Sequence, residues 1–159
     1  MTFQEIHERL KSQYPHAILD FKADAVTEPW IKIAPDRLKE IGLYLRETPE
    51  LHFDYLMCLS GVDNNDGTLS TVYHLFSTAH KHRLVLKAVV PKENPRTQSV
   101  ESVWKAANWH ERESFDLLGI NYFDHPDLRR ILCPYDWEGH PLRKDYKLPE
   151  FYNGMKVPY

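Results

Sequence analysis

The sequence predicts an α+β domain, built on a mostly antiparallel sheet with helices on one face and followed by an extended irregular C-terminal arm. Three observations carry this expectation. Strand-like segments are grouped instead of alternating singly with helices. The polar run Asp63-Asn64-Asn65-Asp66-Gly67 separates two apolar stretches as a hairpin turn does. Five of the eleven prolines, Pro126, Pro134, Pro141, Pro149 and Pro158, fall in the last 34 residues.

Each element has a local reason. Thr2 and Glu5 have capping-box spacing, and Phe3, Ile6 and Leu10 recur at helical intervals, so a first helix is expected over 3–13 and ends at Pro15. The runs 16–21 and 30–33 read as two short strands flanking Glu28-Pro29. Pro35 suits the first turn of a second helix, with Leu38, Ile41 and Leu45 on one face, ending near Thr48-Pro49. Residues 53–62 and 69–76 form the arms of the hairpin. Residues 82–90 place Val85 and Val89 opposite Leu84, Leu86 and Ala88, the pattern of a strand covered on both faces. Val100, Val103, Trp104, Ala107, Phe115 and Leu118 share a stripe that predicts a third helix over 99–118, with Gly119 as a left-handed cap. The expected organisation is a domain over 1–119 and an arm over 120–159.

Composition narrows the function. A chain of 159 residues suits one domain, able to bury roughly 70% of its unfolded surface. With 20 basic against 23 acidic residues there is no basic field for nucleic acid. No apolar run approaches the ~18 residues of a membrane span and the N-terminus lacks a signal-peptide pattern, so a soluble, unexported chain is expected. Cys58 and Cys133 stand far apart with no CxxC, which excludes a zinc knuckle or iron–sulfur cluster built from the chain's own thiols.

The third helix carries the densest charge. Glu111 falls on its apolar stripe and needs a partner. Glu113 and Asp116 are one turn apart, and Arg112 reaches Asp116 at the four-residue spacing. Three catalytic readings are each weakly supported. His110-Glu111-Arg112-Glu113 starts like a zinc-protease motif, but Ser114 stands where the second histidine belongs. Glu113 and Asp116 are helix neighbours and do not face each other across a glycosidase cleft. A metal held by His110, Glu113 and a remote histidine lacks a motif to support it. A salt-bridged helix face is the simpler reading, with Arg129, Arg130 and Arg143 as the expected cations for Glu111, Glu113 and Asp116.

The arm combines prolines, which exclude a long helix or central strand, with Tyr122, Phe123, Tyr135, Trp137, Tyr146, Phe151, Tyr152 and Tyr159, a composition unlike a disordered tail. Aromatics and arginines in extended chain favour an interface. The arm either folds back on its own domain or lies on a partner, and different stretches can do each.

ERESFDLLGINYFDHPDLRRIL followed by PYDWEGHPLRKDY resembles the signature of the C subunit of NADH-quinone oxidoreductase, the 30 kDa subunit family of respiratory complex I. The likeness runs almost unbroken from Glu111 to Tyr146, and EFYNGMKVPY is similar to tails of that family. Upstream of about residue 95 it extends only to length and element order, and Cys133-Pro134-Tyr135 is a local departure. The resemblance implies a non-catalytic scaffold in the peripheral arm of a proton-translocating NADH-quinone oxidoreductase. It implies no metal, catalytic or cofactor-binding residue in this chain, with FMN, iron–sulfur clusters and quinone held by partner subunits. It further implies docking onto the quinone-site D subunit and neighbouring iron–sulfur subunits, at the cytoplasmic face of the cell inner membrane, in a form not fused to that quinone-site protein. The expected partner interface comprises Glu111, Arg112, Glu113, Asp116, His125, Pro126, Arg129, Arg130, Trp137, Arg143, Lys144, Asp145 and Tyr146. Two alternatives stand beside this reading. One is the homologous subunit of a membrane-bound hydrogenase or of a ferredoxin- or F420H2-fed dehydrogenase. The other is a free-standing metal-dependent hydrolase using His110 and Glu113.

Overall fold

The hairpin written at Asp63 is the spine of the fold. In the computed structural model, which describes residues 1–25 and 28–157, strand β3 (Tyr55–Asp63) pairs with β4 (Thr68–Phe76) through the register Val62↔Ser70 and Asp63↔Leu69. Asn65 and Gly67 take positive φ of 60° and 84°. The Asp63 and Asp66 carboxylates accept the amides of Asn65 and Thr68, both at 3.0 Å, so the turn is held by its own side chains.

Around the hairpin the chain runs α1 (Phe3–Gln13), β1 (Ile18–Lys22), β2 (Trp30–Ile33) and α2 (Leu38–Glu47), and after it β5 (Arg83–Pro91). These strands form one sheet in the order β1-β2-β5-β4-β3, antiparallel except where β2 meets β5. The capping box is present, with the Thr2 amide donating to Glu5 at 2.7 Å and the Glu5 amide to Thr2. Ile6 and Leu10 of α1, Ile41 and Leu45 of α2 and Leu118 of the last helix join Leu69, Tyr73, Leu86 and Ala88 in one buried cluster, so the helices share one face of the sheet. The opposite side of β5 is also shielded. Val85 is buried beside its cross-strand partner Trp30, over whose ring Lys87 sits at 4.5 Å.

Two boundaries differ from expectation for non-local reasons. The third helix, α3 (Ala107–Leu118), begins eight residues later than its apolar stripe suggested. Residues 99–106 form irregular chain and turns instead. The Trp104 indole donates to the Phe53 carbonyl at 2.9 Å, while Ser99 and Val100 donate to Glu111, so these residues are pulled out of helical register though Val100, Val103 and Trp104 remain buried. Pro35 lies in a turn before α2, where its carbonyl receives the Gln98 amide at 2.9 Å. That bond belongs to β6 (Arg96–Gln98), which pairs in parallel with β7 (Asn121–Phe123). A small hairpin, β8 (Phe151–Tyr152) with β9 (Met155–Lys156), closes the described chain; the expected proline and aromatic at Pro158 and Tyr159 lie outside the described residues.

Gly119 caps α3 at φ 75°, and its amide returns to the Phe115 carbonyl. The chain then re-enters the core, where Ile120 and Tyr122 are fully buried, before it leaves as the arm. A Cβ on Gly119 would stand 2.5 Å from His140 Nε2 and 2.7 Å from an Arg143 guanidinium nitrogen. Gly119→Ala is therefore expected to lower stability by about 1 to 3 kcal/mol, more than the cost of the φ angle alone, and to loosen residues 139–143. Urea denaturation together with amide exchange over that stretch checks it.

Candidate functional site

The C-terminal half of α3 holds the arm, and Asp116 is the centre of the hold. Its side chain is fully buried. Oδ2 accepts three successive backbone amides, from Ile131 at 3.0 Å, Leu132 at 2.7 Å and Cys133 at 2.9 Å. Oδ1 takes Arg130 Nη1 at 2.7 Å, and the other end of that guanidinium donates to the Gly139 carbonyl. Burial alone would raise the Asp116 pKa, but the three amides and Arg130 outweigh it and bring it down to about 2.

The end of the helix adds further ties. Its unpaired carbonyls accept from the arm: His140 Nδ1 donates to the Asp116 carbonyl at 2.9 Å and Arg143 Nε to the Leu118 carbonyl at 2.7 Å. Arg143 thus places a cation at the negative end of the helix. At the hairpin tip Asp63 uses its second oxygen for the Lys144 amide at 2.8 Å, and Lys92 bridges Asp63 and Asp145, each at 2.7 Å. Lys92 and these amide donors hold the Asp63 carboxyl at about 2.

Glu111 meets a different fate from the expected arginine pair. It is fully buried, accepts the Ser99 hydroxyl at 2.6 Å and the Val100 amide at 2.7 Å, and has His125 as its nearest basic group at 3.9 Å. With two donors and no arginine, burial wins and raises its pKa to about 7. His125 itself accepts the Asp127 amide through Nδ1. Glu113 is exposed and forms no ion pair among the described residues. Arg112 is not the partner of Asp116; it is buried under Trp109 at 5.0 Å, with its Nε donating to the Arg129 carbonyl and Asp127 4.0 Å away. Arg129 is taken by Asp127. The Trp137 indole donates to Tyr146 at 3.0 Å and its ring lies 5.0 Å from that of Tyr152, whose hydroxyl donates to Asp136.

Of the residues expected to face a partner, Glu111, Arg112, Asp116, His125, Arg129, Arg130, Trp137, Arg143, Lys144, Asp145 and Tyr146 thus make contacts within the chain, while Glu113, Pro126, Arg129, Lys144 and Asp145 are exposed. The large apolar side chains point outward instead. Tyr135 is 94% exposed, Leu132 61% and Leu142 57%, with Trp109, Leu148, Phe151 and Met155 also exposed. Sequence reasoning had counted Tyr135 and Phe151 among the arm's interface-favouring aromatics but passed over Leu132, Leu142 and Leu148, though Leu142 and Leu148 each adjoin a proline, a signal for a side chain displayed on fixed backbone. His110 and Glu113 line a cleft of about 270 Å³ between β3 and α3, bounded by Gly61 and Leu142. No group of three metal-ligating side chains forms among the described residues, and no described helix is long and apolar enough to cross a membrane.

Fold and site together define a class: an α+β domain that clamps a proline-rich, non-helical arm to the end of its last helix and turns the arm's apolar side chains outward. Residues 31–152 match the family model described as respiratory-chain NADH dehydrogenase, 30 Kd subunit. The chain is 46% identical over 151 residues to the NADH-quinone oxidoreductase C subunit of Chloroherpeton thalassium, covering 94% of this chain and 63% of that protein. It is 43% identical over 156 residues to the corresponding protein of Chlorobium phaeobacteroides, covering 96% and 93%. Among solved structures it is similar to a trypsin-resistant fragment of Nqo5, with TM-score 0.64 and 25% identity over 80% of this chain and 100% of that one. The fold is also shared with a chain of an archaeal membrane-bound sulfane sulfur reductase, TM-score 0.71 at 22% identity, covering 91% and 85%. The chain belongs to the 30 kDa subunit family, that of the C subunit of NADH-quinone oxidoreductase.

Asp116→Asn keeps the shape and removes the charge, leaving Arg130 without a counter-ion. A loss of about 3 kcal/mol is expected, with amide protection at 131–133 falling first; unchanged exchange there would refute the clamp. For Glu111 the sign runs the other way. Its folded pKa lies above the unfolded value near 4.5, so its stabilising protonated form is complete below that value and is lost as pH rises through about 7. Glu111→Gln should therefore gain melting temperature relative to the parent between pH 5 and pH 8, measured by thermal denaturation.

Proposed function

We propose that this chain is a non-catalytic scaffold of the peripheral arm of a proton-translocating NADH-quinone oxidoreductase, and that it docks onto the quinone-site D subunit and adjoining iron–sulfur subunits. One observation carries the reading: the arm's backbone is fixed by Asp116 while the side chains of Leu132, whose own amide is clamped, and of Tyr135, two residues beyond the last clamped amide, stand exposed. A rigid backbone with exposed aromatic and aliphatic side chains is what a protein interface core uses, because little entropy remains to be lost on binding. In this reading residues 1–119 provide the platform and residues 120–159 the arm, rooted by Ile120 and Tyr122. FMN, iron–sulfur clusters and quinone sit in the partners, and the chain rests at the cytoplasmic face of the inner membrane through them. The family relatives support an NADH-fed complex over a hydrogenase-like one, since the likeness to the sulfane sulfur reductase carries the fold alone.

The test uses the full chain in its native complex. Leu132→Glu with Tyr135→Glu alters exposed side chains, so the chain should fold with its melting temperature little changed, yet co-purify poorly with the quinone-site protein. Cofactor content per assembled particle should stay constant. Complexes that assemble in full and lose turnover would overturn the scaffold reading.

A further inference from the structure

The hairpin β8–β9 has no core of its own. Asn153 and Gly154 take positive φ of 49° and 77°, the turn that an Asn-Gly pair forms between two short strands, and the Val157 amide donates to the Glu150 carbonyl. So small a hairpin is marginal unless it packs on something. It packs on Trp137, whose ring centroid lies 5.0 Å from that of Tyr152. The polar atoms of both rings are also tied down: the Trp137 indole donates to Tyr146 and the Tyr152 hydroxyl to Asp136, each at 3.0 Å.

Between hairpin and arm lies a cleft of about 260 Å³, lined by Trp137, Tyr152, Phe151 and Pro149 together with Asp136 and Glu138. Small-molecule pockets begin at roughly 300 Å³, so this one suits a single long side chain. Its aromatic rings present π faces, which attract cations. Asp136 and Glu138 are exposed and form no ion pair among the described residues. Lys147 borders Glu138 in a neighbouring groove without pairing with it, and Arg130 and Arg143 are taken by the end of α3. An apolar or proline-rich ligand would desolvate the two carboxylates and give them nothing in return. A guanidinium answers both features, since its plane stacks on an aromatic ring while its N–H fork meets a carboxylate.

We propose that this cleft is a socket for an arginine side chain presented by a partner protein, with Trp137 and Tyr152 as its walls and Asp136 and Glu138 as its counter-charges. The rings are fixed before binding, so little order remains to be imposed when the arginine enters. The socket presupposes that the arm docks as proposed above, and it specifies the chemistry of one contact in that docking.

Photo-crosslinking in the native complex tests it, with benzoylphenylalanine in place of Phe151 in one preparation and of Tyr135 in another. From position 151 the crosslink should reach a partner segment beside an arginine, and changing that arginine to glutamine should cut the yield about fivefold. Asp136→Asn with Glu138→Gln, which keeps an acceptor for the Tyr152 hydroxyl, should cut it equally and leave the yield from position 135 unchanged. A crosslink from position 151 that falls on this chain itself, on a segment without arginine, or is indifferent to these substitutions overturns the socket. If position 135 reaches a partner and position 151 does not, the socket fails while the docking of the arm stands. If neither does, the docking reading fails with it.

Discussion

One buried carboxylate governs everything after Gly119. Extended chain with a proline every eight or so residues cannot satisfy its amides in a helix or a central sheet, so its polar backbone needs partners elsewhere. Asp116 supplies them by collecting three consecutive amides and an arginine into one point on α3. Desolvating a carboxylate is costly, and here four donors offset the cost. The free carbonyls at the helix end then take His140 and Arg143, and the hairpin tip takes Lys144. Remove the charge at Asp116 and the remaining ties must hold the arm across a gap.

Glu111 and Asp116 lie on the same helix, five residues apart and equally buried, yet they hold opposite protonation tendencies. The difference is the number of donors that each receives. Two neutral donors do not offset burial at Glu111, whose pKa rises to about 7, whereas three amides with a guanidinium keep Asp116 ionised. Burial by itself decides neither; it amplifies whatever the local hydrogen bonds favour.

Local signals in the sequence were faithful. The capping box at Thr2, the hairpin turn at Asp63 and the glycine cap at Gly119 all appear where residue type and spacing put them. What escaped was set by partners distant in the chain. The start of α3 is displaced by bonds from Trp104 to Phe53 and from Val100 to Glu111, and β6 and β7 are too short to show a period. At the site, the requirement of Asp116 for a cation was legible and Arg130 meets it. Elsewhere Arg143 and the Lys144 amide also bond groups within the chain, while Leu132, Tyr135 and Leu142 stand exposed. Asp63, a turn former in the sequence, became an anchor for Lys144, 81 residues away, and no local pattern announces that.

The clamp grips Ile131, Leu132 and Cys133 only through their N–H groups, which every amino acid but proline possesses. The identity of those side chains is therefore free to drift without loosening the arm, and the first proline after them, Pro134, falls one residue beyond the last amide that Asp116 needs. Holding and display therefore use different atoms of the same residues. Substituting the exposed Leu132 side chain leaves untouched the N–H by which the clamp holds it.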